Sequence, residues 1–183
     1  MNRTSGYLVG AVVLILIGVL MLLQNLGILA EREGLFWTLG FLAAGAAFLV
    51  NFVAAPRDRW WSIIPGMVMV AIGLTIGFGD ALGELVPSLF LGGIALAFWI
   101  VYFTHRDYWW AVIPAGVLTT LAVIIPLEPG LPEVAFVGAF FLGIGITFGL
   151  VFLLPAKEDT KWAIWPAGIM LLMGIVIVAA STA

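Results

Sequence analysis

The chain of 183 residues has no cysteine, a single histidine and only 9% charged residues. Without cysteine there are no disulfides, thiolate metal sites or cysteine nucleophiles. A net charge of −3 gives no basic surface for nucleic acid. Soluble domains are about 25% charged and about half apolar, whereas 64% of this chain is hydrophobic. The composition therefore predicts an integral membrane protein.

Apolar runs long enough to cross a bilayer, which takes about 20 residues, recur along the chain between short polar breaks. We expect an all-α bundle in one transmembrane domain, residues 1–183, whose neighbouring helices form antiparallel hairpins. The first run is too long for a signal peptide and lacks a small-x-small cleavage site, which favours a retained span. The seven predicted spans are residues 6–30, 35–54, 60–79, 85–104, 109–127, 134–154 and 162–181.

The basic residues predict the orientation, because cytoplasmic loops are enriched in Lys and Arg. With seven spans, only Arg32 falls on the side opposite the other basic residues, whereas six spans would mix the two sides. We therefore expect a cytoplasmic amino terminus and an external carboxyl terminus. The residues predicted to be cytoplasmic are Arg3, Arg57, Arg59, Arg106, Lys157 and Lys161.

The pattern D-x-x-W-x-x-x-P occurs three times, and each copy is followed by an apolar run. A Phe-Leu pair lies upstream of each copy at a nearly equal distance, at Phe41, Phe90 and Phe141. Spacing of about 50 residues indicates an internal repeat. We interpret spans 2–3, 4–5 and 6–7 as three hairpins in the same orientation, with span 1 standing alone.

The acid of each copy is predicted to be the N-cap of the helix that contains the proline. An Asp cap satisfies first-turn amides and suits the positive helix end. The alternative, in which the helix begins at the proline, leaves about 13 residues before Pro126, which is too short a span. The predicted caps are Asp58, Asp107 and Asp159.

The tryptophans of the three copies have two interpretations. The first is an aromatic belt that fixes helix depth. The second is a ring that binds lipid headgroups or docks a partner. The candidate docking residues are Asp58, Trp61, Pro65, Asp107, Trp110, Pro114, Asp159, Trp162 and Pro166.

Small residues four apart predict close helix packing, within the chain or with a partner. They occur at Gly6 and Gly10, at Gly40 and Ala44, and at Gly145 and Gly149. Either neighbouring spans or a homo-oligomer fits the pattern.

The central parts of the predicted spans contain no ionisable residue, which argues against ion-coupled transport, proton pumping and voltage sensing. The intramembrane threonines are expected to bond backbone carbonyls or neighbouring helices. His105 is expected to be a solvated loop residue. Paired acid and base groups and nucleophile motifs are missing, so we predict no enzyme, no catalytic residue, no cofactor and no metal site.

The segment from Gly10 to Leu29 contains the string I-G-V-L-x-L-L-x-N-L-G and is followed by Phe36-Trp37. Residues 7–54 resemble the LiaI/LiaF-type transmembrane region of bacterial envelope-stress proteins. The later W-W-x-x-I-P-x-G hairpins resemble those of small multi-span bacterial proteins. The resemblance implies a bacterial cytoplasmic membrane protein, and LiaF-type members are linked to damping a sensor kinase. Here Ala183 closely follows the last span, so we expect no soluble carboxyl-terminal domain.

These features predict a non-enzymatic scaffold, accessory subunit or interaction partner, and the resemblance implies a role in envelope-stress sensing. Its expected partners are membrane lipids and another membrane protein or a second copy of the chain. The alternative is a passive carrier or channel for a small molecule or lipid. A carrier with a pseudo-threefold path would repeat polar residues at equivalent depths, and Thr119 and Thr120 are not matched in spans 3 and 7.

Overall fold

The computed structural model describes residues 18, 22, 33–155 and 160–181. Within these residues the regular secondary structure is entirely helical, as the composition predicts. Three pairs of consecutive helices, α1–α2, α3–α4 and α5–α6, are named hairpins 1, 2 and 3 below. The α-helices are α1 (Glu33–Ala54), α2 (Ile63–Leu82), α3 (Val86–Thr104), α4 (Val112–Ile124), α5 (Glu133–Leu153) and α6 (Ile164–Ser181).

Five helical stretches of the described residues are long and apolar enough to cross a membrane, which indicates a membrane protein. They are Gly34–Ala54, Trp60–Thr104, Trp109–Gly130, Glu133–Leu153 and Lys161–Ser181. The predicted first span, 6–30, lies outside the described residues apart from Gly18 and Leu22, which are helical.

The stretch of 45 residues from Trp60 to Thr104 reverses direction at Gly83. Gly83 has φ 51°, a conformation that L side chains rarely adopt and that glycine tolerates. After the reversal α3 packs on α2, and a Cβ at Gly93 would lie 3.6 Å from the Cβ of Ala71. The stretch is therefore two helices, of 20 and 19 residues.

The helices that contain the three prolines begin later than predicted. They start at Ile63, Val112 and Ile164, so that each proline is the third helical residue. Amides of the first turn have no partner within the helix, and proline there loses no hydrogen bond. The predicted caps Asp58 and Asp107 are wrong, because neither stands at an N-cap position. The N-caps of the 3₁₀ turns and helices are Arg59, Ser62, Tyr108 and Ala111. Asp159 lies outside the described residues.

Short 3₁₀ turns explain why the length argument failed. One precedes each proline-containing helix: Trp60–Ser62, Trp109–Ala111 and Lys161–Ala163. Helix α4 has only 13 residues, but a second 3₁₀ segment, Ile125–Gly130, extends it through Pro126. At about 1.5 Å per α residue and 2.0 Å per 3₁₀ residue, the whole stretch is roughly 37 Å long. That exceeds the ~30 Å hydrocarbon layer.

The best-packed part of the bundle lies beside these 3₁₀ turns, at what we call the Trp end. Its buried residues come from all three hairpins, and Ala97, Val101, Ala111, Val151 and Ala163 have no exposed surface. At the opposite end an apolar cavity of about 320 Å³ lies between α2 and α3 near Gly83. The largest buried cluster of the described residues therefore lies toward the Trp end.

Helices α4 and α5 interlock through two reciprocal Gly-Thr pairs. Thr120 Oγ1 donates to the Gly116 carbonyl at 2.9 Å and Thr147 Oγ1 to the Gly143 carbonyl at 2.8 Å. Each threonine fills the space beside the other helix's glycine, since a Cβ on Gly116 would lie 2.9 Å from that of Thr147. The prediction that these threonines bond backbone carbonyls is confirmed.

The predicted small-residue motifs have different environments. Gly145 packs closely on Leu171, where an added Cβ would lie 2.8 Å from the backbone nitrogen. Gly40 and Gly149 have no atom of the described chain within 4 Å of an added Cβ. Gly6 and Gly10 lie outside the described residues.

Candidate functional site: the aromatic rim

Each of the three predicted tryptophans packs edge-on against a phenylalanine of its own hairpin. The ring centroids are 6.2 Å apart for Trp61 and Phe48, 6.3 Å for Trp110 and Phe98, and 5.9 Å for Trp162 and Phe148. The interplanar angles are 77°, 79° and 70°, within the T-shaped geometry that aromatic pairs prefer. The contact ties the loop of each hairpin to its first helix.

The residue before each of the first two tryptophans reaches the next hairpin. Trp60 lies 6.0 Å from Trp110 at 66°, and Trp109 lies 6.1 Å from Trp162 at 67°. A 3₁₀ turn has three residues, so adjacent side chains diverge by about 120°. One tryptophan of a doublet can therefore contact the next hairpin while the other contacts its own. We call these contacts, with the Trp-Phe pairs, the aromatic rim.

A second link between hairpins 1 and 2 runs through His105. Its Nε2 lies 3.0 Å from the Arg57 carbonyl oxygen. Since a carbonyl only accepts, Nε2 is the donor and carries the proton. The ring stacks on Tyr108 with centroids 4.8 Å apart, and Tyr108 contacts Trp60 at 5.1 Å. His105 lies in a loop as predicted, but it is half-buried rather than solvated, because this loop folds back onto the loop of hairpin 1.

The other candidate docking residues have simpler surroundings. Asp58 and Asp107 are exposed, and Asp159 lies outside the described residues. Pro65, Pro114 and Pro166 are half-buried and, as first-turn residues, set where the helices begin. The structure thus brings the tryptophans together and leaves the described acids at the surface.

The candidate docking residues did not include two tryptophans of the rim or its three phenylalanines, nor the adjoining loop residues. These residues are Trp60, Trp109, Phe48, Phe98, Phe148, Tyr108 and His105. The available signal was the doublet, because two adjacent tryptophans on one turn cannot both face the same surroundings. In the third copy Lys161 replaces the first member of the doublet. It stands at the position from which Trp60 and Trp109 reach a following hairpin.

Trp61 differs from its two counterparts in exposure. It is 51% exposed, against 38% for Trp110 and 45% for Trp162. Trp110 and Trp162 each receive a tryptophan from the preceding hairpin, and among the described residues Trp61 receives none. Within the described part of the chain, Trp61 is therefore the tryptophan at the end of the rim.

The exposed arginines next to the rim have different partners. Arg59 Nη1 donates to Asn51 Oδ1 at 2.9 Å. The Arg106 guanidinium lies over the rings of Tyr102 and Phe103, 4.8 Å from each centroid. Among the described residues, no group of three His, Asp or Glu side chains is arranged to hold a metal ion.

Comparison with protein-family models, curated proteins and solved structures gives no match to this chain. The resemblance to the LiaI/LiaF-type region therefore stays a prediction.

Proposed function

We propose that the chain is a seven-span protein of the bacterial cytoplasmic membrane, with its amino terminus and its Trp end on the cytoplasmic side. The distribution of charge supports this orientation. Arg57, Arg59, Arg106 and Lys161 lie at the Trp end, whereas the turns at the opposite end contain Asp80, Glu84, Glu128 and Glu133. Basic residues favour the cytoplasmic side.

The three hairpins are, in this proposal, copies of one unit. The support is the recurrence of the same features at each loop: a three-residue 3₁₀ turn, an α-helix that begins two residues before proline, and an edge-on Trp-Phe pair. Packing inside hairpins 1 and 3 also matches. Leu42 packs on Gly73, and Leu142 packs on Gly174 in the same way.

The protein acts as a non-enzymatic scaffold or accessory subunit. The observation that carries this proposal is that, within the described residues, no tryptophan of another hairpin packs against Trp61. Within the described chain, Trp110 and Trp162 each pack against a tryptophan of the preceding hairpin. An aromatic side chain of another membrane protein, or of a second copy, would pack edge-on against Trp61. A role in envelope-stress sensing rests on the sequence resemblance alone.

The test is site-specific photo-crosslinking in native membranes. A benzophenone amino acid replaces Trp61 in one variant and Trp165 in a control variant. Trp165 is 75% exposed and lies near the same end, but it belongs to no rim contact. We expect a discrete crosslinked product at position 61 that is weak or absent at position 165. Equal, diffuse labelling at both positions would show lipid contact only and would refute docking at Trp61.

The carrier or channel alternative has less support. Extensive helix contacts within the described residues join only helices that are consecutive in the chain, so α1 and α6 do not close a ring. Thr119 also donates to the Ala115 carbonyl at 2.7 Å and accepts from Trp99 Nε1 at 3.1 Å. Selective solute flux into liposomes that contain the purified chain would favour the carrier over the scaffold.

A further inference from the structure

A cleft of about 350 Å³ opens at the Trp end between the last turns of α3 and α5. It is lined by Tyr102, Arg106, Leu154 and Pro155. Phe103 and Leu153, which neighbour these residues in sequence, are exposed apolar side chains. The cleft therefore lies where the lipid-facing surface of the bundle meets its charged loops.

Arg106 supplies a cation to this cleft with its hydrogen-bonding edge free. The faces of two aromatic rings hold the guanidinium, at 4.8 Å from the centroids of Tyr102 and Phe103. Cation-π contact uses the electrostatic attraction of the ring face and consumes no N–H donor. In the described part of the chain, the contacts of the Arg106 guanidinium are with these two rings. The five N–H donors of the planar guanidinium can therefore still bind a ligand.

Tyr102 supplies a second donor. The residue is 7% exposed. Because the residue lines the cleft, its hydroxyl can donate to a group bound beside Arg106.

A guanidinium fork and a phenol together match a phosphate oxyanion, because Arg binds phosphate bidentately and phosphate offers several acceptors. We propose that this cleft is a phosphate-binding site, with the phosphodiester of an anionic membrane lipid as its ligand or, as the other source of the same chemistry, soluble phosphate. A lipid phosphate lies at the depth where helices leave the hydrocarbon, and α3 ends at Thr104, two residues before Arg106. The apolar lining, Leu154 and Pro155, would contact the adjoining acyl ester region.

The other two arginines of this surface do not form the same site. Arg59 already donates to Asn51. Arg57 occupies the position in the first sequence copy that Arg106 occupies in the second, one residue before the aspartate. It lines no described cleft that contains a tyrosine. Arg57→Gln is therefore a control that makes the same change in net charge.

The lipid experiment uses the full chain, purified in detergent and analysed by native mass spectrometry. Phosphatidylglycerol is added in one sample, and a galactosyl diacylglycerol with the same acyl chains in the other. We expect the unmodified protein and Arg57→Gln to retain phosphatidylglycerol over the glycolipid. Arg106→Gln should bind it about tenfold more weakly, as expected for loss of a charged hydrogen bond. Tyr102→Phe should weaken phosphatidylglycerol binding by a smaller factor. The affinity of Arg106→Lys should lie between those of Arg106→Gln and the unmodified protein.

A parallel titration with inorganic phosphate, without added lipid, separates the two sources. Phosphate binding that depends on Arg106 would identify soluble phosphate as a ligand, whereas lipid retention alone would identify the lipid. The proposal is overturned if neither probe distinguishes Arg106→Gln from Arg57→Gln. Unchanged helicity and melting temperature of each variant ensure that a loss reflects the site rather than misfolding.

Discussion

Trp60 lies edge-on to Trp110 of the next hairpin, with ring centroids 6.0 Å apart, and Trp109 has the same relation to Trp162 at 6.1 Å. The contacts run in one direction, because the first tryptophan of a doublet always meets the second position of the following copy. Repeat proteins are stabilised in this way by interfaces between neighbouring units. The rim therefore aligns the loops of consecutive hairpins at one level.

Replacement of these tryptophans tests their coupling role. Trp60→Leu and Trp109→Leu should each destabilise the bundle by roughly 1–3 kcal/mol, because an aromatic pair and buried area are lost. Thermal unfolding in detergent, followed by near-ultraviolet circular dichroism, measures the change. Trp165→Leu is the matched control and should leave the melting temperature nearly unchanged. Equal losses in all three variants would mean that the tryptophans act only as lipid anchors.

The close packing of glycine against threonine between α4 and α5 predicts that a residue larger than glycine at this contact destabilises the bundle. Gly116→Ala places a Cβ 2.9 Å from the Cβ of Thr147, and such overpacking costs about 1–3 kcal/mol. Gly168→Ala is the control, since no atom lies within 4 Å of its added Cβ, and alanine favours helix there. Unfolding of both variants by denaturant or heat measures the two changes in stability. A Gly116→Ala variant as stable as Gly168→Ala would contradict the close approach.

The hydrogen bond from His105 predicts that the loops of hairpins 1 and 2 are coupled. His105→Ala should cost about 1 kcal/mol and should also loosen the loop around Arg57, which it does not adjoin in sequence. Hydrogen exchange measured by mass spectrometry would show faster exchange in peptides covering both loops. His105→Gln, which can still donate to the Arg57 carbonyl, should restore part of the protection. Faster exchange in the His105 loop alone would rule out the coupling.

The absence of cysteine makes the proposed orientation simple to test. No native cysteine has to be replaced before single cysteines are introduced. The positions are Asp58 and Asp107 at one end and Asp80 and Glu128 at the other. In intact cells a membrane-impermeant maleimide should label positions 80 and 128 and should spare 58 and 107 until the membrane is opened. Mixed labelling within either pair would exclude the proposed topology. Reporters fused at the two chain ends should lie in different compartments, as an odd number of spans requires.

Helix positions could be predicted from the sequence because apolar runs and charged breaks act locally. The described helices lie close to the predicted intervals, and the satisfied hydroxyls of Thr119, Thr120 and Thr147 followed from the cost of burying a free polar group. The first residue of each helix could not be predicted from the sequence. An Asp before an apolar run indicates an N-cap whether or not a 3₁₀ turn lies between the Asp and the helix. The length argument at Pro126 assumed an α-helical rise throughout the span.

The rim was only half predictable for a related reason. Tryptophan near a membrane interface is expected from its amphipathic ring, so composition explains Trp60 and Trp61 equally. Only the fold shows that Trp60 faces hairpin 2 and that Trp61 faces Phe48. The carbonyl that His105 contacts is 48 residues away, a separation that no local pattern encodes.

In the described bundle, extensive helix contacts join only consecutive helices. Each new contact during folding therefore closes only a short loop of chain. Each newly inserted hairpin meets a docking surface that was made before it, with Trp60 in place for Trp110 and Trp109 in place for Trp162. Assembly can thus proceed during synthesis, from the first hairpin to the last, without waiting for the final segment to emerge from the ribosome.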